Sequence, residues 1–154
     1  MGIVHAAIAP VILVAGVKPN LVLIAVVLVT ALGGFLPGVV WAFVAGLTAN
    51  LLVGEPLGSI PLAMLVVAAM TAGGARLVGR VPLAYPVVAV LVGSVVADLM
   101  VLGLGQLVGD AVVSEIPTDL IVRAAVLNAV ICVTVLVPAR ALAARYVPDE
   151  QAAW

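Results

Sequence analysis

Few side chains in this sequence can do chemistry, and they lie scattered through apolar runs. One histidine, His5, and one cysteine, Cys132, leave no cluster of the convergent His, Cys or carboxylate ligands that a metal site needs. Ser59, Ser94 and Ser114 have no histidine available except His5 at the start of the sequence. A nucleophilic serine needs a base beside it. His5 is therefore read as an interface residue and Cys132 as a small buried hydrophobe with no disulfide partner. What remains is Asn50, Asp98, Arg123 and Asn128, each inside a long apolar stretch. Polar groups in such stretches face a partner or a cavity, because lipid offers them nothing.

One near miss is rejected on chemistry. Gly103-Leu104-Gly105-Gln106 has the outline of the Gly-x-Gly-Asp motif of intramembrane aspartyl proteases. Gln106 does not ionise, and an aspartyl dyad needs two carboxylates sharing one proton. Asp98 alone does not supply them. No enzymatic activity, cofactor or metal is expected.

The elements that must position these residues follow from composition. Of 154 residues, 66% are hydrophobic and 8% charged, against roughly 25% charged in soluble domains. No single soluble core hides so much apolar surface. Six basic and seven acidic residues also exclude a nucleic-acid surface, which needs a basic stripe. A helix crosses the ~30 Å hydrocarbon core with about 20 residues. Residues 1–154 are thus expected to form a single integral-membrane domain, all-α, with about six transmembrane helices.

The first run, Ile3 to Val17, has no basic region ahead of it and is read as a retained span. Lys18-Pro19-Asn20 ends it. The second, Leu21 to Leu32, is β-branched like a strand, but an isolated strand in lipid leaves its backbone unsatisfied, so helix is predicted. Gly33 to Gly38 follows as a tight break, or as a kink in one helix, which would leave five crossings. Further spans are predicted over Val39 to Val53, about Ile60 to Val78, Pro82 to about Leu107, and Thr118 to about Tyr146. Ser59 and Thr118 are candidate caps.

Orientation comes from the arginines. Six spans put Arg76, Arg80, Arg140 and Arg145 on one side, opposite Lys18, Glu55, Asp110, Glu115 and Asp119. The basic side is cytoplasmic, so both termini are expected there, with Trp41, Tyr85 and Tyr146 at the inner interface.

On these spans Asp98 lies about 12 Å of helix rise from the outer end of the fifth. Asn128 lies at similar depth in the sixth, Arg123 nearer the surface, and Asn50 near the outer end of the third. The expectation is an interhelical polar clamp in which Arg123 or Asn128 satisfies Asp98; the competing use is a solute or proton site. Ala42, Ala45, Gly46 and Ala49 form a small-residue stripe, repeated by Gly93 and Ala97. Such stripes let helices approach closely, either within the bundle or as a docking face for another membrane protein.

Several stretches are familiar together. Lys18-Pro19-Asn20-Leu21-Val22-Leu23 opens the second span, and Gly38, Gly46-Leu47, Asn50 and Leu57-Gly58 follow at set spacing. Val95-Val96-Ala97-Asp98 and Leu127-Asn128-Ala129-Val130 come later, with Pro138 and Arg140 near the end. This pattern resembles the rod shape-determining MreD family, whose Gly-Leu-x-x-Asp stretch is here Gly46-Leu47-x-x-Asn50. The resemblance implies a multi-pass protein of the bacterial plasma membrane, a scaffold of cell-wall elongation. Its implied partners are MreC, the RodA glycan polymerase with its class B transpeptidase, indirectly MreB, and membrane lipid.

MreD proteins are similar in fold to the S components of energy-coupling-factor vitamin transporters, which makes an S component the alternative. Those proteins commonly dock through Ala-x-x-x-Ala on the first helix, and Ala6/Pro10, Ala7/Val11 and Ala9/Leu13 all fail it. A vitamin pocket also wants aromatic residues in the outer half, where this sequence places none.

Overall fold

The computed structural model describes residues 18–53, 57–79, 82, 84–108 and 117–146, with side chains described as far as Ala141 in the last stretch. The expected first span, Glu55, Arg80, Asp110, Ser114, Glu115 and the tail lie outside these residues, as does the side chain of Arg145.

The described chain is helical throughout: α1 (Leu21–Gly33), α2 (Phe35–Val53), α3 (Ser59–Val78), α4 (Ala84–Val108) and α5 (Thr118–Tyr146). Four of these, α2 to α5, are long and apolar enough to cross a membrane. The protein is therefore an all-α membrane protein. The helix α1 has 13 residues, a rise of about 20 Å, short of a full crossing. Its run of valines folds as helix because helix satisfies the backbone within the segment itself.

The break after α1 is tighter than expected. Only Gly34 leaves the helix, at φ 91°, and Phe35, Leu36 and Pro37 already belong to α2. Pro37 sits in the first turn, where its missing N–H has no intrahelical acceptor to lose. Gly38 then lies directly against Thr30; a Cβ there would collide with the Thr30 side chain. Contact across eight residues means the chain reverses at Gly34, so α1 and α2 are two helices and not one kinked helix.

At the next turn Ser59 is not the cap. It is the first residue of α3, and Gly58 holds the cap position at φ 96°. The Gly58 N–H is donated instead to Asn50 Oδ1, at 2.6 Å. Likewise Thr118 is the first residue of α5, and the Pro117 carbonyl accepts the Ile121 N–H.

Sequential neighbours α2–α3, α3–α4 and α4–α5 pack side by side, and α1 packs against all four of the others. The long helices thus form an arc with α1 at its focus. Leu23, Ile24, Val26 and Val27 of α1 meet Met64, Val67, Val90 and Cys132 in one core. Lipid is as apolar as leucine, so helix association here depends on close packing more than on the removal of water.

Small residues supply that closeness. Gly38, Ala42, Gly46 and Asn50, spaced four apart, are the buried positions of α2. A Cβ on Gly46 would lie 2.8 Å from Pro61 Cα, and one on Gly93 would lie 3.0 Å from a Val67 methyl. Of the two uses open to the small-residue stripe, Ala42 and Gly46 serve contacts inside the bundle, and Ala45 and Ala49 lie half-buried beside them. Four-residue spacing keeps Ala42 and Gly46 on one line and turns Ala45 and Ala49 aside from it.

A leucine at position 46 must push α2 and α3 apart, because the nearest atom is backbone. We expect Gly46→Leu to destabilise the purified protein by at least ~1–3 kcal/mol. Ala45→Leu should stay within about 0.5 kcal/mol. Thermal unfolding in detergent of the two variants checks this; equal losses would contradict the packing described.

Candidate functional site

Two of the buried polar residues, Ser94 and Asn128, meet where α1 begins. A helix leaves its first N–H groups without intrahelical partners, and here they lie among apolar side chains. Asn20 caps the helix, its Oδ1 accepting the Leu23 N–H at 3.0 Å. The Asn20 N–H is in turn donated to Asn128 Oδ1 of α5 at 2.8 Å. Asn128 Nδ2 donates to Ser94 Oγ of α4 at 2.7 Å. Asn128 is 2% exposed and Ser94 1%.

One carboxamide thus joins α1, α4 and α5, using its acceptor and its donor at once. Aspartate is acceptor-only when ionised and cannot replace it. Asn128 is ten residues into α5, about 15 Å of helix from its start. The junction therefore sits well inside the apolar zone, where water does not substitute for a lost bond.

The expected clamp differs from this junction. Asn128 is engaged with Ser94 and Asn20, not with Asp98. Arg123 pairs with Asp119 one turn along its own helix, at 2.9 Å, with side chains 56% and 72% exposed. Five residues separate Arg123 from Asn128, about 140° around the helix. Arg123 therefore points away from the face that meets α4. Asn50, 1% exposed, serves the α2–α3 turn through Gly58. Asp98 is half-buried on α4 and makes no hydrogen bond or ion pair among the described residues.

Asn20 and Ser94 were missing from the expected cluster. Asn20 carried a legible signal, a capping residue type directly before an apolar helical run. Ser94 precedes Asp98 by four residues and so shares its side of α4. Nothing in the sequence pairs either one with Asn128.

The other buried hydroxyls are mostly satisfied locally. Thr30 and Thr71 donate to the carbonyls of Val26 and Val67, at 2.6 and 2.8 Å. The Tyr85 hydroxyl donates to the Thr71 carbonyl, tying the start of α4 to α3. Ser59 Oγ is buried without a partner among the described residues. No three His, Cys, Asp or Glu side chains gather as metal ligands among those residues. Comparison with protein-family models, curated proteins and solved structures finds no match.

Removing Asn128 leaves the half-buried Asn20 N–H and the buried Ser94 hydroxyl without this partner. We expect Asn128→Ala to destabilise the protein by ~1–3 kcal/mol. Arg123→Gln breaks only an exposed pair and should cost less than about 0.5 kcal/mol. Thermal unfolding of both variants in the same detergent tests the ranking, and a larger effect at Arg123 would overturn it.

Proposed function

We propose that this chain is a non-enzymatic scaffold of the rod-type cell-wall elongation machinery, similar in role to MreD proteins. It is a multi-pass protein of the bacterial plasma membrane with about six transmembrane helices and both termini in the cytoplasm. Through its spans it binds MreC and the RodA–transpeptidase pair, and indirectly the MreB filament.

One observation supports the reading: four residues of the MreD-like pattern make contacts that hold the helices and their turns together. Asn20 meets Asn128, Gly38 meets Thr30, Gly46 meets Pro61, and Asn50 meets Gly58. These four residues serve the packing of the fold, which suits a scaffold. The departure at Asn50 leaves its contact intact, since the Gly58 N–H needs only an acceptor, which Asn and Asp both supply. Around this frame the perimeter is apolar, with Trp41, Phe43, Val44, Leu47 and Leu51 exposed along α2 alone. Such a surface suits recognition by other membrane helices.

Co-expressed with an MreC-like protein from the same host, the full chain should co-purify with it, and depletion should round the host's rods. Cysteines placed at Glu55 should label from outside the cell, and at Gln151 only after permeabilisation. Absent capture together with unchanged cell shape would overturn the scaffold. A thermal shift that grows with the concentration of one vitamin would do so too, in favour of an S component, because a ligand specific for the folded state stabilises it by mass action.

A further inference from the structure

We propose that Asp98 receives a basic side chain, arginine or lysine, from a transmembrane helix of a partner protein. The inference rests on the scaffold reading and names where on the scaffold one partner is held.

The helix α4 has three kinds of flank. Gly93 faces Val67 of α3, Val90 lies in the core, and Ser94 faces Asn128 of α5. Asp98 follows Ser94 by one turn and is turned slightly further from the core. It is ten residues from the end of α4 at Val108, about 15 Å of helix, so its carboxylate stands deep in the apolar zone.

Nothing within the described chain neutralises it. The Ser94–Asn128 bond sets α4 and α5 in register, which brings Ala124 level with Asp98, one turn further along. Alanine offers no donor. Arg123, its neighbour, is turned away and paired with Asp119. Lys18 is exposed and forms no ion pair with the carboxylate, and Arg76 lies at the far end of α3. An ionised group at such depth is normally found with a counter-charge or a donor.

The surroundings fit a side chain that reaches in from another helix. Leu91, Val95 and Leu102, at i−7, i−3 and i+4, frame Asp98 with an apolar ridge that is exposed or half-buried. Gly105, at i+7 on the same flank and two turns along, is buried. With Ala124 opposite, the α4–α5 seam at this level sets the Asp98 carboxylate beside a small side chain. Apolar edges suit a membrane helix, and the carboxylate selects a cation on it. Arginine suits best, since its planar fork pairs both carboxylate oxygens at once.

The test uses the full chain in phosphatidylcholine vesicles. Synthetic leucine-rich transmembrane peptides carry Arg, Lys or Leu at the central position, and association is read by energy transfer between fluorophores. We expect the Arg peptide to associate roughly tenfold more tightly than the Leu peptide. That advantage should vanish with Asp98→Asn, whose folded yield and thermal stability are measured alongside because the carboxamide keeps the shape. Should Asn unfold the protein, Asp98→Glu, which keeps the charge, must retain the preference for Arg. Equal binding of Arg and Leu peptides to the wild type would overturn the proposal, as would an undiminished Arg preference in a folded Asp98→Asn. Either failure leaves co-purification with the MreC-like partner untouched, so the two proposals fall separately.

Discussion

A helix that starts inside an apolar bundle must find partners for its first N–H groups there, and the rest of this structure is arranged around that need. The helix α1 opens at Asn20, level with the middle of α4 and the first third of α5. Asn20 Oδ1 serves one N–H, and Asn128 Oδ1 serves another. Through its own amide Asn128 then fixes Ser94, so capping α1 also sets the register of α4 on α5. Because α1 touches every other described helix, a shift at its end is felt in all of them.

Close packing is the second constraint. Four residues, Gly38, Ala42, Gly46 and Asn50, present one line of α2 to its neighbours, and the line changes task along its length. At Gly38 it admits the Thr30 side chain, at Gly46 the backbone of α3, and at Asn50 it supplies an acceptor for the turn. Glycine is needed at the first two because any side chain would occupy the neighbour's place. At the last, bulk matters less than a carbonyl oxygen.

The helices themselves were legible in the sequence, because uninterrupted apolar runs leave the backbone no other choice in lipid. Expected ends fell within a few residues, apart from α2, where Phe35 to Pro37 read as part of a break. Gly-rich sequence next to proline resembles a loop, yet proline is well tolerated in a first helical turn. The site was legible only in part. Asn50 and Asn128 stood out as polar residues in apolar surroundings, and both proved to be buried bonding groups. Their partners did not stand out, for two reasons. The Asn20 and Gly58 groups that they bind are backbone N–H donors, which every residue but proline carries. Arg123 and Asp98 were expected to attract by charge, but Arg123 found Asp119 along its own helix before it could reach across to another.

The central position of α1 also sets an order of events during synthesis. A chain emerging from the ribosome delivers α1 ahead of the four helices that surround it, and Asn128 arrives only with the last. Until then the Asn20 N–H lacks its acceptor, although α1 can already pack against α2, α3 and α4. The fold is therefore completed from its end, not from its beginning.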